Sequence, residues 1–168
     1  MATVAVIMDD WFEDVEYTQP AAAFEKAGHE IVIIGLEKGK VVTGKRQKVQ
    51  ATIQRSLGDV SVDEFDALLI PGGYSPDRLR AHEMAVHFVK DFTKSGKPVF
   101  SICHAPQILI TADVLKNRRI TGYKSIIQDI KNAGAEFIDK EVVVDGNLVS
   151  SRDPGDIPAF IRKSLQKL

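Results

Sequence analysis

Apolar residues in this chain fall into short unbroken runs, separated by segments in which they recur every three or four positions. TVAVIM (residues 3–8), EIVIIG (30–35), DALLIPGG (66–73) and PVFSI (98–102) are short and rich in β-branched or aliphatic residues, so they read as buried strands. A helical stretch joins the first two and ends near AFEKAGHE, with Gly28 placed as its C-cap. MAVHFVKDFTKSG (84–96) sets Met84, Phe88, Val89 and Phe92 at helical spacing and stops at Gly96. APQILITADVL (105–115) and KSIIQDIKNAG (124–134) predict two more helices, and an amphipathic one runs from about Pro158 to the C-terminus. EVVVDGNLVSS (141–151) predicts a hairpin turning at Asp145-Gly146-Asn147. KVVTGKRQKVQATI (40–53) breaks the rhythm and reads as a small hairpin excursion. With no repeat, linker or low-complexity stretch, residues 1–168 read as one compact domain.

Strands alternating with helices predict an α/β sandwich with a mostly parallel central sheet. Ligands of such sheets bind beyond the carboxyl ends of the strands, near a topological switch point. Four loops fall there: DDWFEDVEY, PGGYSPDR, CHAP and ITGYKS. Composition narrows the partners. At 44% hydrophobic, 27% charged and a net charge of −1, the chain offers no basic stripe for nucleic acid and no run long enough to span a membrane. The N-terminus lacks a basic segment before its apolar run, so a secretory signal is not expected. One cysteine forms no internal disulfide, and a cytoplasmic location is the default.

That cysteine, Cys103, ends a strand and precedes a helix. It is either a buried filler or a nucleophile at a helix mouth. A free thiol, with a pKa of about 8.5, is only a few per cent thiolate at neutral pH. Lowering that value by ~3 units takes roughly 4 kcal/mol, and a helix N-terminus supplies about 2 at most. Something else must favour the anion. His104 is the obvious candidate by identity, yet neighbouring helical positions do not face each other, so a direct bond to the sulfur is not expected. Glu13 and Glu16, three apart, share a face if their segment is helical. A carboxyl buried beside Cys103 would stay protonated and donate to the sulfur, and two such carboxyls would titrate together.

Three other chemistries are set aside. A phospho-receiver would follow from Asp9-Asp10 but needs an Asp where Pro71 stands. HEMAVH spaces its histidines five apart, about 140° around a helix, whereas the zinc motif needs four. No G-x-G-x-x-G opens a helix for a dinucleotide. Cys103, His104 and Glu16 suit nucleophilic catalysis as well as metal binding, so no metal or other cofactor is expected.

LLIPGG, SICHAPQILI, FEDVEY, NAGAEF and EVVVDGNLVSSR together, from about residue 3 onward, resemble the PfpI-type intracellular cysteine protease family, relatives of the parkinsonism-associated deglycase. The resemblance implies a flavodoxin-like three-layer sandwich with a reactive cysteine on a strained strand-to-helix elbow. It makes Cys103 the nucleophile, His104 its partner, Glu16 the acid bonded to the cysteine and Glu13 a second pocket carboxylate. It places Tyr123 in the pocket wall. Asp77 falls where a neighbouring subunit brings an acid, usually Glu, to orient the histidine, and His104 would then point away from the Glu–Cys pair. The implied assembly is a homo-oligomer, at least a dimer and up to a hexamer. Three residues depart from the pattern: Ala105 replaces a glycine and is expected to narrow the elbow, Asp77 is shorter than Glu, and GKRQKV replaces a His-Gly pair.

The resemblance implies a stress-related enzyme acting on small α-oxoaldehydes or their protein adducts, of glyoxalase or deglycase type. Its alternatives are an ATP-independent cysteine peptidase and a non-enzymatic redox sensor or chaperone. A thiolate adding to an aldehyde, with an acid or histidine shuttling the proton, needs only a small pocket. Peptide hydrolysis also needs an oriented base, an extended cleft and an oxyanion hole. Gly72, Gly73 and His104 are the candidate backbone donors for that hole.

Overall fold

The computed structural model describes residues 1–168. The chain runs β1 (Thr3–Ile7), α1 (Asp14–Lys26), β2 (Glu30–Gly35), β3 (Val41–Thr43), β4 (Gln50–Thr52), β5 (Arg55–Ser56), β6 (Ala67–Ile70), α2 (Ser75–Leu79), α3 (Glu83–Lys94), β7 (Val99–Ile102), α4 (Pro106–Thr111), β8 (Arg119–Ile120), α5 (Ile127–Asn132), β9 (Glu136–Phe137), β10 (Val143–Asp145), β11 (Leu148–Ser151) and α6 (Ile157–Leu165). Seven strands form the central sheet in the order β10-β11-β7-β6-β1-β2-β5. Every pairing is parallel except the β10–β11 hairpin at one edge. Its five main parallel strands, taken from β2 to β11, run 2-1-3-4-5, which is the flavodoxin-like order.

Strand periodicity explains the layers. Val4 and Val6 of β1, Leu69 of β6 and Phe100 and Ile102 of β7 face one apolar cluster, which α1 and α6 close with Phe24, Ile157 and Phe160. Their neighbours Ala5, Ile7, Leu68, Ile70 and Val99 face the other, closed by Phe88, Val89 and Phe92 of α3, Ile108 and Leu109 of α4, and Ile130 of α5. Burying each large side chain contributes roughly 2 kcal/mol, and the near-continuous apolar strands are those of a sheet covered on both faces.

Elements differ from expectation where local geometry overrides pattern. α4 stops at Thr111 rather than 115, because Asp113 turns left-handed at φ 56°. The segment from 124 begins as a 3₁₀ turn and becomes α-helical only at Ile127. β5 and the small parallel β8–β9 pair have two residues per strand, too few to carry a periodic signal. The 40–53 excursion is the expected hairpin, β3 against β4, closed by the loop 44–49. No helix is long and apolar enough to cross a membrane.

The sheet changes direction beside β1. Its neighbours β2 and β6 lie on opposite sides, and the chain leaves β1 toward one and later returns to the other. The loops after β1, β6 and β7 therefore meet at one end of the sheet.

Candidate active site

Cys103 sits one residue past β7 with φ 62°, in the left-handed region that side chains other than glycine's rarely adopt. The surroundings hold it there. Its N–H donates to the Ser151 carbonyl at 3.1 Å, and its own carbonyl accepts from the Tyr123 N–H at 2.8 Å. Strain of this kind, of order 1–3 kcal/mol, persists only when neighbours over-determine the backbone.

Beneath the thiol lies Glu16, fully buried in the first turns of α1. Its Oε1 accepts the Gly72 N–H at 2.9 Å. Oε2 has no hydrogen-bond partner, and the Cys103 thiol lies beside the same carboxyl. Burial, reinforced by the charge of Glu13, raises the Glu16 carboxyl to about 8, so it is mostly protonated at neutral pH. Gly72 makes this stacking possible: a Cβ there would sit 2.5 Å from Glu16 Oε1 and 2.7 Å from Cys103 Cβ. Because the Gly72 N–H is spent on Glu16, it cannot serve an oxyanion hole. Gly73 and His104 N–H instead face the Cys103 sulfur, and neither bonds a backbone carbonyl.

Burial pushes the Cys103 thiol up against those two N–H donors, and Glu16 adds to the rise only where its carboxyl is ionised. His104 corrects the expectation for its own geometry. Its Nδ1 lies 3.3 Å from Cys103 Sγ, because α4 begins only at Pro106 and the left-handed cysteine swings its side chain beside the next one. His104 Nε2 lies 3.2 Å from Ser125 Oγ, and its ring stacks on Tyr123 at 4.6 Å and 30°. Burial and the Lys45 ammonium hold the imidazole below its ordinary range, with Asp77 opposing weakly, so it is a neutral base at pH 7. Asp77 itself pairs with Arg80 of its own chain at 2.7 Å.

Glu13 and Glu16, expected to work as a pair, have separated. Glu13, just before α1, lines the cavity and takes Lys45 Nζ on Oε2 at 2.9 Å and Arg46 Nε on Oε1 at 3.1 Å. Ala105 is fully buried in the core cluster that also holds Leu79, Ile108 and Leu109, and it is not among the residues lining the cavity. The cavity, about 400 Å³, is lined by Glu13, Lys45 and Arg46 together with His104, Tyr123, Cys103 and Gly73. Tyr74 and Pro154 complete its rim. A second cavity of about 360 Å³ shares Tyr123 with the first and includes Arg152, which is paired with Asp156 and Asp139. No group of three or more His, Cys, Asp and Glu side chains converges on a point that could hold a metal ion.

Ser125, Lys45 and Arg46 are the site residues that sequence reasoning did not select. Ser125 carries no local signal, since a serine opening a helical segment reads as a cap. The lysine and arginine stood out only as a departure within the 40–53 excursion.

The fold and the elbow define a doubly wound α/β protein with a cysteine at its topological switch point, braced by an acid from the first helix. The chain belongs to the DJ-1/PfpI family, which matches residues 2–167. It is 55% identical to Protein/nucleic acid deglycase 2 of Escherichia coli over 166 residues, covering 98% of this chain and 96% of the relative. It is likewise 55% identical to General stress protein 18 of Bacillus subtilis, with the same coverage. Among solved structures it resembles a two-domain protein of Anabaena variabilis with DJ-1/ThiJ/PfpI-like and ferritin-like domains. That match has a TM-score of 0.97 at 37% identity and covers 99% of this chain but 48% of that one.

Proposed function

We propose that this protein is a cysteine-dependent enzyme acting on small α-oxoaldehydes, or on the adducts they form with proteins, of deglycase or glyoxalase type. One observation carries the reading: the single thiol stands inside a small cavity between a neutral base, His104 Nδ1, and the acid Glu16. The deglycase and stress-protein names of its relatives support it.

In this reading the thiol proton passes to His104 Nδ1 as sulfur adds to the aldehyde carbon. The oxygen that gains charge faces the Gly73 and His104 N–H groups, and takes the proton from the imidazolium to give a hemithioacetal. His104, neutral again, removes the hydrogen of that carbon and returns it to the neighbouring oxo carbon, while the hydroxyl proton passes to the oxo oxygen, leaving a 2-hydroxy thioester. Water cleaves the thioester to a 2-hydroxy acid and the free thiol. The net change is RCOCHO plus water to RCH(OH)COOH, with no external oxidant. Protonated Glu16 donates to sulfur whenever sulfur carries charge, while Ser125 accepts the Nε2–H and so keeps Nδ1 free as the base.

The second cavity, sharing Tyr123, favours a peptidase as the alternative, since it extends the site toward a longer substrate. A cytoplasmic homo-oligomer remains part of the proposal, but an Asp77 acting across subunits would first have to leave Arg80. The test is 2-hydroxy-acid production from methylglyoxal in amine-free, thiol-free buffer, beside Cys103→Ala. Many turnovers that vanish in the variant are expected. No turnover in either protein would leave peptide hydrolysis or redox sensing, which consumes each thiol once.

A further inference from the structure

Two basic residues, Lys45 and Arg46, line the cavity that holds the thiol, and their backbone is fixed. Asp14, buried in the first turn of α1, accepts the N–H groups of Arg46, Lys48 and Val49 at 3.0, 3.2 and 3.1 Å. Gly44 packs so tightly on that carboxylate that a Cβ would collide with it. The Lys45 N–H donates to the Phe12 carbonyl at 2.8 Å. The loop 44–49 is thus held in one pose over the site, with both cationic side chains lining the cavity.

Two cations there meet one carboxylate. Glu13 is the only acidic residue lining the cavity, and each of its oxygens already holds one partner. Among the side chains that line the cavity this is two cations to one anion, and the Asp14 carboxylate behind the loop has its oxygens taken by backbone N–H groups. Arg46 spends only Nε on Glu13, and neither Nη1 nor Nη2 has an acceptor. Lys45 offers three N–H bonds and places one on a carboxylate, while its ammonium rests over the Tyr74 ring at 5.6 Å. Neutralising Glu13 requires one cation; the second, with a free planar fork at the mouth of the cavity, matches what recognises phosphate or carboxylate. Lys45 is also close enough to act on the charges of both Cys103 and His104, so the basic wall and the reacting sulfur share one small space.

We propose that Lys45 and Arg46 form an anion subsite, and that the substrates this site prefers are α-oxoaldehydes bearing a phosphate or carboxylate beyond the oxo carbon. The substrate class rests on the aldehyde reading above; the subsite itself does not. The aldehyde carbon meets Cys103 while the anionic end lies against the guanidinium fork. A phospho-oxypyruvaldehyde would follow the same balanced course as methylglyoxal, with water consumed and the 2-hydroxy acid retaining its phosphate.

Two measurements test it. Alkylation of the sole cysteine by iodoacetate and by iodoacetamide compares reagents that differ mainly in charge, both displacing iodide from carbon. Relative to glutathione, the iodoacetate-to-iodoacetamide rate ratio of Cys103 is expected to be about tenfold higher at low ionic strength. It should fall toward the glutathione value in Arg46→Gln, in Lys45→Met and in high salt. Arg46 is largely exposed, so its replacement leaves the core intact. In turnover, the ratio of kcat/KM for phospho-oxypyruvaldehyde over methylglyoxal should drop in the same variants. An alkylation ratio equal to that of glutathione, unmoved by either substitution, overturns the subsite. A high alkylation ratio without aldehyde turnover supports the subsite and overturns the aldehyde reading instead.

Discussion

Replacing Glu16 by glutamine separates the chemistry of this site from its cost to the fold. An unfolded glutamate loses its proton near 4.5, whereas buried Glu16 holds its proton until about 8. Because the folded pKa is raised, the stabilising contribution is complete below the unfolded value and is lost as pH rises through the folded one. Across that window the folded chain binds one more proton than the unfolded chain, so stability falls by roughly 1.4 kcal/mol per pH unit. From pH 5 to 7.5 the loss is about 3 kcal/mol. The Glu16→Gln side chain keeps the shape, accepts the Gly72 N–H, and has no proton to lose. Urea denaturation of the two proteins at several pH values reads the difference directly, since all other ionisations are common to both. The variant should gain on the wild type with rising pH, by about 3 kcal/mol over that range, while its turnover falls. Parallel stability curves would refute the argument, because they require Glu16 to ionise alike in the folded and unfolded chains.

Ser125→Ala should lower kcat about tenfold with little change in KM, and should alter the ¹⁵N ring shifts of His104 that report its tautomer. Ser125→Thr should restore both, and unchanged ring shifts would remove Ser125 from the orienting role. Gly72→Ala should destabilise the protein by roughly 2 kcal/mol, because the added methyl would collide with the Glu16 carboxyl and the Cys103 Cβ and press on the Ile102 carbonyl. An unaltered melting temperature would show that the stacking is looser than described.

The architecture was legible because burial on both faces imposes its own signature. Apolar runs such as EIVIIG and ALLI, alternating with helices, are what a parallel sheet covered on both faces requires, and Gly28, Gly96 and Gly134 punctuate helices by taking positive φ. The convergence of the loops after β1, β6 and β7 follows from that sheet, so Cys103, Glu13, Glu16 and Gly73 could be gathered from the pattern, and the family resemblance added Tyr123. What the sequence could not convey was orientation. The 3.3 Å approach of His104 to sulfur depends on a left-handed Cys103 that only Ser151 and Tyr123, distant in the chain, hold in place. Ser125 reaches His104 from 21 residues away. The division of labour between Glu13 and Glu16 was equally hidden: one lies under Gly72 and stays protonated, the other meets two cations that Asp14 delivers from a separate hairpin. Periodicity records which face of an element is buried, and so it determined the layers and the end of the sheet where chemistry occurs. Protonation and hydrogen bonding depend on contacts a few ångströms long between segments far apart in sequence, and these only the tertiary structure decided.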